Sequence, residues 1–521
     1  MRTKNKLIQI SLVGLLFWVS CTSPDKEATD FPLAEATIAD IHAAMERGDV
    51  TAHYLVEGYL ERIEAYDKQG PSINSIISIN PEAMATAKYL DSIYAESGMV
   101  GPLHGIPIIV KDNYDFFGMP TSNGTLALKA SYPPDDAFQV KKLREAGAII
   151  IAKANLAEFA SSGEFSVSSV LPGYSRNPYD TRRTTAGSSG GTGASIAASL
   201  AVVGLGTDTG SSIRGPSAHQ ALVGIRSTMG LTSRDGIVPL ALTNDIGGPM
   251  ARTVEDAVRV FDVIAGYDEA DTVTKASIES KEDSYLPFLD ANALEGKRIG
   301  VLHQLFPKSD SDSSVYSLMT GALEDLKKGG AILLDSVEIR DLDSLNESGT
   351  RIRQLKRDYN AYLASLGDSS KYKTLQDIID SDDYHPYLEK RLIDAQAEVD
   401  IPEEHPDWDK NMALRQTLRE RVLGVMDSLN LDALIYPAFT YPPRLIGDLN
   451  GPRGDTSGKL SPPTGFPAVA VPMGYSYGKY PAGFQLLGRP FSEGVLFAIA
   501  YGYEQQTKHR RAPDGFEELD K

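Results

Sequence analysis

The stretch TTAGSSGGTGASIAASLAVVGLGTDTGSSIRGPS, residues 184–217, places a turn rich in glycine and serine on each side of an apolar run. The run Ala197–Leu205 has the length and composition of a buried strand. Glycines let the backbone of such turns approach other groups closely and aim successive N–H groups at one point. The stretch therefore predicts a buried strand that carries a serine, Ser211 or Ser212, into a turn suited to binding an oxyanion.

Five further apolar runs have a similar strand-like length, and helical patterns separate them. Phe138–Glu145 and Val254–Ala265 show the spacing of amphipathic helices. Strands that alternate with helices predict an α/β fold in which a large sheet is covered by helices on both faces. The five runs are Ile106–Val110, Ala148–Ala152, Arg298–Leu302, Ala433–Tyr436 and Ala468–Val471.

The composition is that of a folded, acidic protein. The chain has 521 residues, of which 42% are hydrophobic, and a formal net charge of −19. This charge disfavours binding to nucleic acid or to an anionic membrane surface. Because no repeat or low-complexity tract divides the chain, we expect a single domain over residues 32–515. Polar residues and helical spacing dominate residues 268–431, which predicts a helical insert there.

The first residues have the pattern of an export signal followed by a tether. Basic residues precede a short apolar run that ends just before Cys21, the only cysteine in the chain. This arrangement is typical of a bacterial lipoprotein signal, residues 1–20, which is cleaved before a lipidated cysteine. Residues 21–31 then form a polar tether. We expect an exported protein of the bacterial cell envelope, in the periplasm or at the outer membrane. The alternatives are a cleaved signal with an incidental cysteine and an uncleaved anchor.

A serine in a glycine-rich turn needs a base if it is to act as a nucleophile. The glycine spacing fits neither a Walker loop nor a dinucleotide-binding loop, which disfavours a phosphate site. His219 lies seven residues after Ser212 and is expected to be structural, although a triad assembled across the fold stays open. Lys111 directly follows the apolar run Ile106–Val110. Burial at that place would lower its pKa and leave a neutral amine that can accept a proton.

Several sequence blocks, in the same order, resemble the amidase signature family of serine amidohydrolases, and its peptide-amidase-like and general amidase members in particular. The resemblance covers nearly all of residues 32–507 and is weakest in 268–431. It implies that the central sheet is mixed, as in that family. The blocks are GPLHGIPIIVKDN (101–113), KANLAEFASSG (153–163), TTAGSSGG (184–191), GLGTDTGSSIRGPS (204–217), GIRSTMGLTSRDGIVPL (224–240), NDIGGPMARTVEDA (244–257), GFPAVAVPMG (465–474) and AGFQLLGRPFSE (482–493).

This sequence has a counterpart for each residue of the Ser-(cis-Ser)-Lys triad of the family. Ser212 matches the nucleophile, because it and not Ser211 precedes an Ile-Arg pair. Ser188, which lies 24 residues earlier, matches the bridging serine held by a cis peptide bond, and Lys111 matches the base. The resemblance implies that Lys111 accepts a proton through Ser188 while Ser212 attacks the amide carbonyl.

The resemblance also assigns the oxyanion hole to the turn around the nucleophile. Its donors would be backbone N–H groups, which stabilise the charge that develops on a carbonyl oxygen. One residue departs from the family pattern, since many members have glycine at the position of Ser211. The donors are the N–H groups of Thr209, Gly210, Ser211 and Ser212.

The function implied by the resemblance is that of an exported serine amidase. The enzyme would convert a carboxamide, either a peptide C-terminal amide or a small aliphatic or aryl amide, into a carboxylate and ammonia or amine through an acyl-enzyme. No cofactor and no metal ion are implied, and the single cysteine excludes a cysteine-cluster metal site. The expected partner is this substrate, with membrane contact only through a lipid anchor at Cys21. Two alternatives stay open: the glutaminase subunit of a tRNA-dependent amidotransferase, and a catalytically silent envelope binding lipoprotein.

Overall fold

The computed structural model describes residues 31–347, 352–448 and 450–519. Its main feature is an 11-stranded mixed β-sheet packed with helices, which confirms the α/β fold expected from the sequence. The expected signal segment and Cys21 lie outside the described residues. Among the described helices, none combines the length and the apolar character needed to cross a membrane.

Most strands of the described chain belong to the main sheet, and two form a small separate hairpin. The strands are β1 (Ile76–Ile79), β2 (Pro107–Lys111), β3 (Ile149–Ala154), β4 (Arg176–Asn177), β5 (Asp180–Thr184), β6 (Val203–Asp208), β7 (Val223–Arg226), β8 (Ile246–Ala251), β9 (Arg298–Val301), β10 (Ile332–Leu334), β11 (Ala433–Pro437), β12 (Ala468–Ser476) and β13 (Tyr480–Leu487). In the main sheet their order is β1-β3-β2-β6-β8-β7-β12-β13-β11-β9-β10, and β4 pairs with β5.

The helices of the described chain begin and end at the following residues: α1 (Ile38–Arg47), α2 (Ala52–Arg62), α3 (Ala83–Ser97), α4 (Phe138–Glu145), α5 (Gly190–Ala197), α6 (Arg214–His219), α7 (Val254–Ile264), α8 (Ser313–Lys328), α9 (Leu342–Glu347), α10 (Leu355–Ser365), α11 (Leu375–Ser381), α12 (Glu389–Gln396), α13 (Trp408–Ser428), α14 (Ser461–Thr464) and α15 (Glu493–Thr507). Several N-termini are capped as their sequences suggest. Thr37, for example, forms a capping box with Asp40 at the start of α1.

Two neighbouring parallel strands at the centre of the sheet position Lys111 and the serine turn. Strands β2 and β6 pair in parallel, with Val110 opposite Leu205. The carboxyl ends of parallel neighbours meet at one edge of a sheet, which is where ligands bind in α/β folds. Lys111 ends β2, and the turn with Ser211 and Ser212 follows β6. Strand pairing therefore brings these distant parts of the sequence together.

The apolar run after the first glycine turn is divided differently from the expectation of one strand over Ala197–Leu205. Its first residue ends helix α5, and strand β6 begins only at Val203. The intervening residues are buried although they belong to neither element. A continuous apolar run does not distinguish a buried helix end from a buried strand, because both exclude water.

Residues 268–431, expected to form a helical insert, divide into two parts. The first part contributes β9 and β10 to the main sheet, where β9 pairs in parallel with both β10 and β11. The second part contains helices α9–α13. Three of these helices, α10–α12, enclose a second hydrophobic cluster, which also includes Leu128, Phe159 and Val238 from the main body. The helical part is thus packed against the edge of the sheet that carries Lys111.

A buried hydrogen bond joins this helical part to the main body. The hydroxyl of Tyr362, on α10, donates to Oδ1 of Asp115 at 2.8 Å. Both residues are buried, and burial raises the pKa of Asp115 to about 7. A hydrogen bond to a buried polar group is costly to lose, because the remaining partner is left without the water it would have in solution.

We predict that Tyr362→Phe lowers the free energy of unfolding by about 1–3 kcal/mol, since Asp115 loses a buried donor. Urea unfolding followed by circular dichroism measures the change. The matched control is Tyr436→Phe, because the Tyr436 hydroxyl is buried and has no hydrogen-bond partner among the described residues. The prediction is contradicted if Tyr362→Phe destabilises the protein no more than Tyr436→Phe does.

Candidate active site

Lys111 is a buried lysine whose amine contacts two hydroxyl groups. Its Nζ donates to Ser188 Oγ at 2.8 Å and to Thr207 Oγ1 at 2.7 Å, and the side chain is 0% exposed. Burial lowers the pKa of Lys111 to about 7, although the carboxylates of Asp208 and Asp245 act in the opposite direction. An amine with this pKa is substantially neutral at physiological pH, which is the state that accepts a proton.

Ser188 is placed by the glycine-rich turn that precedes α5. The Gly187–Ser188 peptide bond is cis, as the family resemblance implied. The N–H of Gly187 donates to the carbonyl of Gly163 at 3.0 Å, and the carbonyl of Ser188 accepts from Ala157 N–H at 3.0 Å. A Cβ atom at position 187 would lie 2.5 Å from the carbonyl oxygen of Ser162, so this turn requires glycine.

The second serine turn lies directly against the first. The N–H of Ser189 donates to the carbonyl of Ser212 at 3.3 Å, and the Ser212 side chain is almost fully buried. Within the described residues, the hydroxyls of Ser188 and Ser212 are not hydrogen-bonded to each other. The structure therefore places the three expected residues in one chain of contacts, from Lys111 through Ser188 to the Ser212 turn.

The expected oxyanion-hole residues, 209–212, form one wall of a cavity. In the described part of the chain, no acceptor receives a hydrogen bond from their backbone N–H groups. Backbone donors that are buried almost always have a partner in the chain, in water or in a ligand. The turn thus offers several N–H groups to a bound molecule, and its geometry suits a developing oxyanion.

A buried ion cluster holds this turn in shape. Burial disfavours ionisation of Asp208, but the guanidinium groups of Arg214 and Arg226 outweigh burial and lower its pKa to about 2. Oδ2 of Asp208 accepts from the N–H of Ile213 at 3.1 Å, and Arg214 Nη2 donates to the carbonyl of Gly210 at 2.7 Å. These bonds tie both ends of the turn to one carboxylate. The cluster joins residues from three elements, β6, α6 and β7, so the contacts between them could not be recognised from the sequence alone.

Ser211, at which the sequence departs from the pattern that the resemblance implies, lies on the side of the turn near Gly163 and Asp455. A Cβ atom on Gly163 would be 2.8 Å from Ser211 Oγ. Burial raises the pKa of Asp455, while a hydrogen bond from Ser211 lowers it. The hydroxyl of Ser211 is thus engaged by a carboxyl group at the cavity wall. Its side chain is accommodated because the facing residue, Gly163, has none.

His219 occupies a structural position, as expected. Its ring stacks on Phe439 with 4.0 Å between ring centroids, and its Nε2 lies 3.3 Å from the carbonyl oxygen of Tyr441. Burial lowers the pKa of His219 to about 4, so that it is neutral at physiological pH. Among the described residues, the imidazole therefore makes no hydrogen bond to Ser188, Ser211 or Ser212, whereas Lys111 bonds to Ser188.

Two residues of the site carried no recognisable sequence signal. Thr207, on β6, accepts hydrogen bonds from both Lys111 and Asn113, the latter at 3.1 Å. Asp245 accepts from the Thr209 hydroxyl at 2.5 Å and also holds the N–H groups of Leu240 and Ala241. A threonine in a strand and an aspartate in a loop are too common to be singled out without the fold.

The serine turn opens into a cavity of about 840 Å³ between the main body and the helical part. The main body contributes residues 160–164, 209–212 and 453–455, and α13 contributes four residues. In the described residues, no group of three or more His, Cys, Asp or Glu side chains is arranged to hold a metal ion. The cavity is large enough for a small organic substrate or the end of a peptide.

Comparisons with known proteins agree with this geometry. The family model named Amidase matches residues 54–497. The chain is 32% identical to a probable amidase of Arabidopsis thaliana, covering 96% of this chain and 95% of that protein. It is 31% identical to a glutamyl-tRNA(Gln) amidotransferase subunit of Carboxydothermus hydrogenoformans, covering 91% of this chain and 97% of that protein.

A similar solved structure is the native peptide amidase of Stenotrophomonas maltophilia. It superimposes with a TM-score of 0.83 at 33% identity and covers 92% of this chain and 99% of that one. Since the family model spans most of the chain and the fold agrees over the same length, the match is not confined to one motif. The chain therefore belongs to the amidase family and is an amide-hydrolysing enzyme.

Proposed function

We propose that this amidase is an exported serine hydrolase that cleaves a primary carboxamide to a carboxylate and ammonia through an acyl-enzyme. The observation that carries the proposal is the buried contact of 2.8 Å between the amine of Lys111 and the hydroxyl of Ser188, next to the Ser212 turn. A base of lowered pKa beside a serine is the arrangement that activates a hydroxyl nucleophile.

In the proposed mechanism, neutral Lys111 takes the proton of the Ser188 hydroxyl while Ser188 takes the proton of Ser212. The Ser212 oxygen attacks the carbonyl carbon of the amide, and the N–H groups of residues 209–212 hold the resulting oxyanion. Lys111 then returns its proton through Ser188 to the amide nitrogen, and ammonia leaves. Water attacks the acyl-enzyme with the same groups acting as base and acid, which releases the carboxylate and regenerates the Ser212 hydroxyl.

Thr207 and Asn113 act in this mechanism as positioning residues. Lys111 Nζ donates to Thr207 Oγ1 at 2.7 Å, and Asn113 Nδ2 donates to the same oxygen at 3.1 Å. Thr207 orients the amine directly, and Asn113 holds Thr207 in place; both side chains are neutral and so add no negative charge that would raise the pKa of Lys111. The similarity to a peptide amidase supports an amidated peptide end as the substrate, and the cavity of about 840 Å³ also has room for a small aliphatic or aryl amide.

A second candidate is the glutaminase subunit of a tRNA-dependent amidotransferase. The identity of 31% to such a subunit over 91% of this chain favours it. An enzyme of that kind needs partner subunits and ATP in the cytoplasm. The export pattern in residues 1–20 is the feature that places the amidase proposal first.

We predict that the purified protein releases ammonia from a primary amide without ATP, and that Lys111→Ala and Ser212→Ala each reduce kcat/KM at least about 1,000-fold. A panel of aliphatic, aryl and peptide amides with an ammonia assay measures the activity. A fluorophosphonate should label Ser212, and peptide mass spectrometry should find the adduct on that residue.

The matched control for this experiment is Ser211→Gly, which restores the common family residue beside the nucleophile. It should keep both the activity and the fluorophosphonate label. An adduct on Ser211 in the wild type would overturn the assignment of the nucleophile. If the protein is not labelled and releases no ammonia from any amide of the panel, a binding protein would instead be favoured. Activity only with glutamine and partner subunits would favour the amidotransferase.

We predict that kcat/KM rises with pH and is half-maximal near pH 7, because only the neutral form of Lys111 accepts a proton and burial lowers its pKa to about 7. Asp245 has a negative charge that raises this pKa, so Asp245→Asn should move the midpoint to lower pH. Initial rates at low substrate concentration measure both profiles. A midpoint that Asp245→Asn leaves unmoved, or moves to higher pH, would contradict Lys111 as the titrating base.

We also propose that the protein is anchored to the cell envelope through Cys21, which lies outside the described residues. The basic residues, short apolar run and single cysteine of the N-terminus support this. Wild-type protein should incorporate labelled palmitate in a bacterial host and fractionate with membranes, whereas Cys21→Ser should do neither. Equal labelling of the two proteins would refute lipidation at this residue.

A further inference from the structure

Helix α13 presents one face to the cavity, and an arginine lies at the end of that face. Trp408, Met412 and Arg415 all line the cavity, at the helical spacing that puts them in one row. The first two supply an aromatic and a thioether surface, whereas Arg415 supplies a charge. Ser212 lines the same cavity.

Arg415 is a cation for which the described residues supply no counter-ion. Among them, no carboxylate forms an ion pair with its guanidinium group, and the only neighbouring charge that affects its pKa is another arginine, Arg419. Its Nη2 donates to two backbone carbonyls, those of Thr243 at 3.2 Å and Pro462 at 3.1 Å. Burial, and then the neighbouring Arg419, lower the pKa of Arg415 to about 10, which leaves it charged at physiological pH.

The two carbonyl contacts orient the guanidinium group and leave part of its hydrogen-bonding capacity unused. A guanidinium group has five N–H donors in a planar fork, and the described contacts of Arg415 involve only Nη2. Removing a charge from water is costly unless a partner replaces the water. An oriented but unpaired arginine in a ligand cavity is therefore matched to an anionic group on the ligand.

Cations outnumber carboxyl groups in the rest of the cavity lining. Arg353, Arg391, Arg453 and Lys459 line it, against Glu164 and Asp455, and of these cations Arg353 is paired with Asp394 and Glu398 outside the lining. This excess of cations contrasts with the formal net charge of −19 for the whole chain. Glu164 is itself paired with Arg453 at 2.5 Å and with Arg444. A cleft of one sign attracts ligands of the opposite sign and raises their local concentration.

We propose that Arg415 binds a carboxylate carried by the acyl part of the substrate, so that this enzyme prefers amides of dicarboxylic acids. The inference rests on the proposed function, in which the amine side leaves as ammonia and cannot carry the anion. The reaction is the hydrolysis of a monoamide with water to a dicarboxylate and ammonium. The C–N bond breaks, a C–O bond forms, and no oxidant or cofactor takes part.

The row on α13 also suggests how the rest of such a substrate is held. Trp408 and Met412 line the same cavity as Ser212 and Arg415 and offer apolar surface on which the alkyl chain of such a substrate would pack. Arg415 is thus a specificity-determining residue and takes no part in the chemical step. Its contribution appears as a preference among substrates, with the serine chemistry unchanged.

The test compares ω-carboxy amides with neutral amides of matched length: succinamate, glutaramate and adipamate against pentanamide, hexanamide and heptanamide. Wild-type enzyme should prefer one carboxylate-bearing amide, and Arg415→Gln should reduce kcat/KM for that amide about 10–100-fold, mainly through KM. The same variant should change kcat/KM for the neutral partner by less than about twofold. Arg415→Lys should restore part of the loss because it keeps the charge.

The matched control is Arg419→Gln, one turn further along the same helix. Arg419 Nε donates to the carbonyl of Thr464 at 2.7 Å, and the residue is not part of the cavity lining that the described residues form. Arg419→Gln should leave the preference for the carboxylate unchanged. If Arg415→Gln does not fold, the wild type still provides a test. Its KM for the preferred carboxylate substrate should rise with salt, while KM for the neutral partner stays constant.

Two results would overturn the inference while leaving the proposed function intact. One is hydrolysis of neutral amides with no wild-type preference for any carboxylate-bearing partner. The other is an equal loss on both substrate classes in Arg415→Gln, which would mean that Arg415 only braces the backbone. A protein that hydrolyses no amide and takes no fluorophosphonate label would instead refute the proposed function itself.

Discussion

The site depends on one costly interaction, the burial of a lysine amine among neutral hydroxyl groups. Lys111 and Lys153 are both 0% exposed, but their surroundings differ. Lys153 pairs with Asp112 at 2.9 Å, so its charge is compensated. Among the described residues, the amine of Lys111 bonds only to the hydroxyls of Ser188 and Thr207, at 2.8 and 2.7 Å. Because desolvation is not offset by a contacting carboxylate, its pKa falls to about 7, and an ordinarily cationic side chain becomes available as a base.

The architecture of the sheet places this buried amine beside the serine turn. Parallel pairing of β2 and β6 brings Lys111 to the edge where the serine turn begins. The negative charge needed to order that turn is kept away from the amine by pairing it elsewhere: Asp208 is enclosed by Arg214 and Arg226, and all three side chains are fully buried. This buried carboxylate shapes the backbone while its charge is shared by two guanidinium groups; it still raises the pKa of Lys111, but burial of the amine outweighs that effect. Structure and acid–base chemistry are thus assigned to different charged groups.

The residues that would select the substrate belong to a different part of the fold from the reacting lysine and serines. The sheet and its turns supply the reacting groups, whereas the helical part, which includes α13, contributes another wall of the cavity. The helical part has its own hydrophobic cluster and is joined to the main body by the buried hydrogen bond from Tyr362 to Asp115. These contacts hold it in place independently of the serine turn. Relatives with the same reacting groups can therefore differ in this wall, and the sequence blocks that match the family lie mostly outside it.

The sequence by itself determined the α/β class, the helices and strands with clear periodicity, and the placement of Lys111 after a buried strand. Those features depend on local patterns of apolar residues, which can be recognised directly in the sequence. The resemblance to the family located Ser188 and Ser212. Only the tertiary structure decided that β10 joins the main sheet beside β9, that Thr207 orients Lys111, that Ser211 faces Asp455, and that Arg415 lines the cavity with no ion-pair partner among the described residues. Each of these depends on residues far apart in sequence, and whether a charge or hydroxyl has a partner is a property of the packed molecule.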